Sequence, residues 1–263
     1  MTETQSPVPP YPPGRDLLRD KTVLITAAAG TGIGYATAKR CIEEGATVFV
    51  SDLHERRLSE AVQKLGSLAG NAPLSQVCDV TKESDVRSLV DAAMRGLGRI
   101  DVLVNNAGLG GSAAIVEMTD EQWSKVLDVS LTSVFRMTRA VLPHMYARKS
   151  GVIVNNASVL GWRAQALQAH YAAAKAGVMA FTRCAAIEAA EYGVRVNAVA
   201  PSIAMHEFLN RVTSDELLRE LRRREAFGRT AEVWEIANII IFLAGDLSSY
   251  MTGEVISVSS QRA

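Results

Sequence analysis

The chain has few cysteines, no charge excess of either sign, and almost no proline once its first segment is passed. Cys41, Cys78 and Cys184 are too few and too scattered for a disulfide framework, and no CxxC pair offers a zinc site. All three read as small core residues kept reduced, so a cytoplasmic location is expected. His54, His144, His170 and His206 are equally dispersed, and no metal site is expected. The 28 Lys+Arg are matched by 28 Asp+Glu, so the basic excess that neutralises nucleic-acid phosphates is missing. No stretch approaches the roughly 18 uncharged apolar residues of a membrane-spanning helix. Nor does the N-terminus carry the basic-then-apolar pattern of a secretory signal. Of the eight prolines, five (Pro7, Pro9, Pro10, Pro12 and Pro13) precede Gly14. Residues 1–14 therefore read as a disordered, proline-rich tail, and residues 15–263 as one domain long enough to bury a substantial core.

What the chain does have is a regular alternation of short apolar runs and longer helical patterns. Val23–Ile25, Thr47–Val50, Val102–Val104, Val152–Val154, Val194–Val196 and Val255–Val258 read as strands, with Leu74–Cys78 a weaker candidate. Uniform apolarity without alternation marks strands covered on both faces, as in a parallel sheet. Helical patterns fall near 33–44, 54–66, 83–96, 120–148, 170–191 and 231–244. This succession predicts an α/β fold, a doubly wound parallel sheet of the Rossmann type. Val-Asn-Asn-Ala occurs at both 104–107 and 154–157, giving two strand ends similar chemistry.

Between the first strand and the first helix lies Thr26-Ala27-Ala28-Ala29-Gly30-Thr31-Gly32-Ile33-Gly34. Glycines in such a turn let the backbone approach a pyrophosphate, which then rests on the helix N-terminal amides. Asp52 follows the second strand, where its carboxylate can accept from both adenosine ribose hydroxyls and repel a 2′-phosphate. NAD is therefore favoured over NADP, although Arg56 and Arg57 stand nearby and could turn toward such a phosphate. Alternatively Asp52 caps the helix beginning near His54. Asp79 either bonds the adenine amino group or caps the helix near 83.

Ser158, Tyr171 and Lys175 are the most informative group. Tyr171 and Lys175 are four apart and share one helix face. A lysine ammonium stabilises a tyrosinate, which a phenol near pKa 10 otherwise does not form at neutral pH. Ser158, just past a strand end, can hold a substrate oxygen while Tyr171 exchanges a proton with it and a hydride passes to or from a nicotinamide.

These motifs resemble the short-chain dehydrogenase/reductase family over roughly residues 20–260. The resemblance is carried by the glycine turn, Asn105-Asn106-Ala107-Gly108, Ser158, Tyr171-Ala-Ala-Ala-Lys175, Arg195-Val-Asn197 and Tyr250-Met-Thr-Gly253. It implies cofactor contacts at Gly30, Gly32, Ile33, Gly34, Asp52, Asp79, Val80, Asn106, Ala107, Gly108, Tyr171, Lys175, Pro201 and Ile203. It also implies a homotetramer whose main dimer interface is formed by the helices at 120–148 and 170–191. Several positions depart from the family pattern. Ala27 stands where the turn usually has its first glycine, and the loop is one residue longer. Val129-Ser130-Leu131 places Ser130 where the family has a catalytic asparagine, with a relay water beside Lys175 as its implied role. Ser202 follows Pro201 in place of glycine, and Ser259-Ser260-Gln261 replaces a terminal Asp-Gly-Gly.

These departures, with residues 155–165, resemble bacterial dehydrogenases of hydroxylated hydrindane-carboxyl-CoA intermediates from steroid C/D-ring breakdown. That resemblance implies NAD-linked interconversion of a ring alcohol and ketone on a cyclic acyl-CoA. Leu160 and Trp162 would press against an apolar ring system. Arg163 would meet an anionic group or serve as a surface salt-bridge partner, and His206 would touch substrate or lie solvated in its loop. Arg219, Arg222, Arg223 and Arg224 either bind CoA phosphates or form a solvated face balanced by Glu216, Glu220 and Glu225. Two other readings compete: an NADPH-dependent 3-oxoacyl-ACP or 3-oxoacyl-CoA reductase, and a catalytically silent Rossmann scaffold that senses cofactor ratio.

Overall fold

The computed structural model describes residues 6–205 and 215–261. Seven strands form one parallel sheet in the order β3-β2-β1-β4-β5-β6-β9. They span Thr22–Ile25 (β1), Thr47–Asp52 (β2), Leu74–Val77 (β3), Val102–Asn105 (β4), Gly151–Asn156 (β5), Val194–Pro201 (β6) and Val255–Val258 (β9). A separate two-residue pair joins Ala204–Met205 (β7) to Ala231–Glu232 (β8). The chain winds outward from β1 to β3, returns to β4, and continues outward on the other side. Its switch point thus lies between β1 and β4, where doubly wound sheets bind ligands beyond the strand ends.

The period of two along each strand divides the core. Val23 and Ile25 pack on one face with Val104, Val154, Ile236 and Ile240. Leu24 points the other way, with Leu103, Ile153, Met137 and Val141. Central strands therefore need apolar residues at every position, and this makes them read as unbroken runs. Edge strand β3 escapes that demand, and Leu74 and Val77 are exposed.

The covering helices are α1 (Ile33–Glu43), α2 (Glu55–Ala69), α3 (Glu83–Leu97), α4 (Asp120–Leu127), α5 (Ser133–Arg148), α6 (Ala169–Ala190), α7 (Asp215–Arg224) and α8 (Val233–Ala244). The single helix expected over 120–148 is divided. Asp128–Thr132 forms a π-helical segment between α4 and α5, a widened turn of the kind often found at functional sites. Residues 231–232, expected as the start of the last helix, form β8 instead, and Glu232 caps α8.

Two further expectations change. Cys41 and Cys78 are buried, which pushes both thiols up to about 12 and leaves them inert. Cys184 is exposed on α6 and is no core residue. The proline-rich segment, read from composition as a tail, lies against the domain within the described part of it, residues 6–14. The Tyr11 hydroxyl donates to Glu43 at 2.6 Å and accepts from Lys39 at 2.7 Å, and its ring meets Trp234 edge-on at 5.4 Å. Arg40 donates to the Pro12 carbonyl at 3.1 Å. One aromatic anchor with both a ring contact and a polar handle outweighs a composition that favours extension.

Candidate active site

At the β1–α1 turn the backbone takes shapes that set aside side chains. Gly30 has φ +80°, and neither Gly30 nor Gly32 has an atom within 4 Å of where a Cβ would stand. The turn therefore opens onto free space. Gly34 is closed in: a Cβ there would lie 2.3 Å from the Ala27 carbonyl oxygen and 2.4 Å from Asn106 Nδ2. Ala27 adopts φ +51°, in the left-handed region that favours glycine. No side chain caps α1 at Gly32, which leaves its first amides to meet a pyrophosphate. The turn fits a dinucleotide.

Asp52 ends β2, buried. It accepts from the Ala29 amide at 3.3 Å and the His54 amide at 3.0 Å, with Arg57 3.7 Å away. Desolvation raises its pKa, opposed by the Ala29 amide and the Arg57 charge. The local turn at His54 and a position beside the dinucleotide turn thus belong to the same carboxylate. Asp79 is closed into its own loop, accepting from the Thr81 amide at 3.0 Å and hydroxyl at 2.7 Å, with Lys82 at 3.5 Å. The Thr81 hydroxyl is the main influence holding its pKa low. Val80 packs toward the core and Ile33 toward the opposite cluster. Pro201 ends β6, and the Ile203 carbonyl accepts from Ala231 at 3.0 Å.

The ends of β4 and β5 are tied by asparagines. Asn105 and Asn155, directly opposite in the ladder, are bonded at 2.9 Å, and Asn155 reaches Thr182 on α6 at 2.9 Å. Asn106 donates to the Thr26 and Ala27 carbonyls at 3.2 and 3.0 Å, while Asn156 donates to Asn106 Oδ1 at 2.9 Å. The Thr26 hydroxyl accepts from the Asn106 and Ala107 amides at 3.0 and 3.1 Å. One polar network thereby couples the dinucleotide turn to the strand that carries Ser158. Thr26, Asn155 and Asn156 were not singled out from sequence. The doubled Val-Asn-Asn-Ala was the signal for the two asparagines.

Ser158 is buried after β5, and its oxygen accepts from the Leu160 amide at 3.2 Å, capping the turn Val159–Gly161. Tyr171 is in the first turn of α6, its hydroxyl near enough to that of Ser158 for the serine to act on its titration. Desolvation raises the phenol pKa and the Ser158 hydroxyl opposes it, so the uncharged phenol dominates at neutral pH. One turn on, Lys175 Nζ lies 5.6 Å from the Tyr171 ring centre and donates to the Asn156 carbonyl at 2.6 Å. Burial lowers this lysine to about 8. Gly108 lies against it: a Cβ there would stand in ordinary contact, 3.4 Å from Nζ.

Ser130 sits in the π-helical segment beside Gly108, its Oγ 3.9 Å from where a Cβ there would stand. Its hydroxyl donates to the Leu109 carbonyl and accepts from the Leu109 amide, both at 2.9 Å. Its one proton is committed to the loop after Gly108. Leu160 and Arg163 border a small cavity beside the Ser158 turn, and Trp162 is half exposed. His206 lies outside the described residues. Gln261, noted in the sequence only as a departure from the family pattern, accepts from Arg163 at 2.7 Å. No local pattern links residues so far apart. Among the described residues no cluster of ligands could hold a metal ion, and no helix is long and apolar enough to cross a membrane.

A family model described as enoyl-(acyl carrier protein) reductase matches residues 27–260. The (5R,7aS)-5-hydroxy-7a-methyl-1-oxo-2,3,5,6,7,7a-hexahydro-1H-indene-carboxyl-CoA reductase of Mycobacterium tuberculosis is 62% identical over 249 residues, covering 94% of this chain and 95% of its own. A 3-oxoacyl-acyl-carrier-protein reductase of Thermotoga maritima is 40% identical over 245 residues, 92% of this chain and 97% of its own. The crystal structure of a short chain dehydrogenase from Mycobacterium smegmatis superposes with a TM-score of 0.87 at 56% identity, covering 98% of this chain and 99% of that one. The chain belongs to the short-chain dehydrogenase/reductase family. It is an NAD(P)-dependent oxidoreductase of alcohols and ketones.

Proposed function

We propose that this protein interconverts a ring alcohol and its ketone on a cyclic acyl-CoA from steroid C/D-ring breakdown, using NAD(H). The reaction class is carried by the meeting of Ser158, Tyr171 and Lys175 beside the open glycine turn. The substrate class rests on the 62% identical relative, whose name specifies such a thioester. A nicotinamide dinucleotide bound at the β1–α1 turn supplies or removes the hydride.

In the reductive direction, the substrate oxygen takes its place between the Ser158 and Tyr171 hydroxyls. Ser158 donates a hydrogen bond to the carbonyl oxygen and so polarises it. Tyr171 gives its proton to that oxygen as the carbonyl carbon gains the hydride. The resulting tyrosinate is stabilised by the Lys175 ammonium one turn away, and oxidation runs the same transfers backwards. Protonated Tyr171 suits the donor role, in keeping with its raised pKa. Ser130 is given a positioning role through Leu109, holding the loop after Gly108 beside Lys175.

Asp52 supports NAD over NADP, since a 2′-phosphate would meet its carboxylate. Arg57 at 3.7 Å is the feature that favours the second reading, an NADPH-linked 3-oxoacyl thioester reductase, together with the 40% identical relative. The silent-scaffold reading loses support from the intact Ser158–Tyr171–Lys175 group. Exposed Trp123, Phe135 and Ile187, on α4, α5 and α6, support a homotetramer paired through those helices. A cytoplasmic site of action agrees with buried, unpaired Cys41 and Cys78.

A substrate panel tests the reading. Turnover with NAD on hydroxylated hydrindane-carboxyl-CoA esters should exceed that on simple 3-oxoacyl thioesters, and fluorescence titration should show NADH bound more tightly than NADPH. Preference for straight-chain 3-oxoacyl thioesters with NADPH would replace it with the second reading.

A further inference from the structure

After β4 and Gly108 the chain runs as a loop, residues 109–113, at the carboxyl end of the sheet, where doubly wound folds take their ligands. Side chains hold this loop at both ends. Ser130 grips Leu109 by its amide and its carbonyl, each at 2.9 Å. Gln168, which precedes α6, donates from Nε2 to the Gly111 carbonyl at 2.6 Å and to the Ser112 hydroxyl at 3.3 Å. The Ala113 amide donates to the Leu167 carbonyl at 3.1 Å. The loop is thereby fixed to the π-helical segment on one side and, on the other, to the entry of the helix that carries Tyr171.

Between these anchors stand Gly110 and Gly111. Neither has its backbone in the left-handed region, so conformation alone does not call for glycine at either position. Packing accounts for Gly111. A Cβ there would stand 2.9 Å from Nε2 of His170, whose ring is buried and occupies that place. The contact at Gly110 is looser: a Cβ there would stand 4.0 Å from Cδ2 of Tyr171, an ordinary separation. A side chain at 110 would suit the backbone and would lie against the ring of the proton donor. Glycine at this position keeps the wall beside Tyr171 thin. Past the second anchor the chain exposes Ile115 and Val116, an apolar rim suited to a hydrocarbon ligand.

We propose that Gly110 is a specificity-determining residue, giving a fused ring system room beside Tyr171, and that Gln168 is the positioning residue that keeps this wall in place. The assignment rests on the ring-alcohol reading above. In a fused ring both neighbours of the reacting carbon are fixed, so the substrate meets Tyr171 as a broad, rigid body. A straight chain can turn its flanks away from the wall. A thicker wall therefore disfavours the ring substrate more than the chain.

Kinetics of Gly110→Ala and Gly110→Val on a fused-ring hydroxy-CoA ester and on a straight-chain 3-hydroxyacyl-CoA test this with the carrier held constant. The preference of the unmodified enzyme for the fused-ring ester should narrow with each methyl added. In Gly110→Val it should fall at least about tenfold, through a rise in KM on the fused-ring ester alone. Gln168→Leu should narrow the same ratio by a smaller factor, and Gln168→Lys, which keeps a donor toward the Gly111 carbonyl, should restore it. Dinucleotide affinity and urea-melt midpoints should match those of the unmodified enzyme throughout. Equal losses on both esters would overturn the assignment by showing that the added side chain only disturbs Tyr171. An undiminished preference in Gly110→Val would overturn it as well. Preference of the unmodified enzyme for the straight-chain ester is a separate result, which removes the substrate reading and this assignment with it.

Discussion

The two ends that the proposed function gives this site, one for the dinucleotide and one for the substrate, are built on different principles. At the dinucleotide end, backbone geometry does the selecting: a left-handed turn, a glycine with no room for a Cβ, and uncapped helix amides. Its parts are close in sequence or repeat one another, as the paired asparagines of β4 and β5 do. At the substrate end, side chains from residues 160–165, 224–225 and 260–261 meet only because the chain folds. Under the proposed function the first kind serves the dinucleotide and the second lies on the side of the substrate. Variants that strike one end and spare the other are the way to break this division.

Where the two ends join, Tyr171→Phe should have the largest effect. Loss of the proton donor should lower turnover by about 10³-fold, while dinucleotide affinity changes little. Steady-state kinetics and a binding titration separate the two quantities. Retained turnover would remove Tyr171 as the acid/base. A parallel fall in cofactor affinity would show that the ends are not independent.

Lys175 gives a smaller and pH-dependent effect. Its folded pKa of about 8 lies below the unfolded 10.5. At pH 7 the lysine is protonated in both states, and the folded state bears the full cost of a buried charge. As pH rises from 8 to 10.5 the folded protein sheds that proton first, so stability climbs by up to about 3 kcal/mol in total. Lys175→Met should lack this climb. It should therefore be more stable than the unmodified protein at pH 7, less whatever is lost with the bond to Asn156, and should lose that advantage near pH 10. Urea melts across the range provide the test, and parallel curves for the two proteins would contradict it. A stabilising substitution that destroys activity would mark Lys175 as a residue kept for chemistry at the expense of the fold.

The same division explains what could be read from sequence. The central strands were legible because burial on both faces demands unbroken apolar runs. Ser158, Tyr171 and Lys175 were legible because helical spacing and a strand end place them together. The break at Asp128–Thr132 was not, since the apolar period on either side continues and a π-helical turn leaves no mark in residue type. Docking of Tyr11 was hidden by the prolines around it, and composition gave one aromatic residue no weight against five of them. The contact between Arg163 and Gln261 spans 98 residues. Only a completed fold brings such a pair into register.

The smallest expected effect sharpens the comparison from the other side. Ala27 is the one position in the dinucleotide turn where a residue with a Cβ takes a positive φ, +51°. The left-handed region costs a non-glycine residue about 1–2 kcal/mol, and glycine gives back roughly 0.5–1 kcal/mol of that through its greater freedom when unfolded. Ala27→Gly should therefore stabilise the protein by a net amount of up to about 1.5 kcal/mol. The Ala27 carbonyl, which accepts from Asn106 at 3.0 Å, is backbone and survives the change. Dinucleotide affinity should rise slightly or stay level. Urea melts and a fluorescence titration measure the two. A destabilised variant would mean that the Ala27 methyl has packing value exceeding its strain. Weakened dinucleotide binding would be more serious, because it would mean that the open shape of the turn depends on the alanine itself.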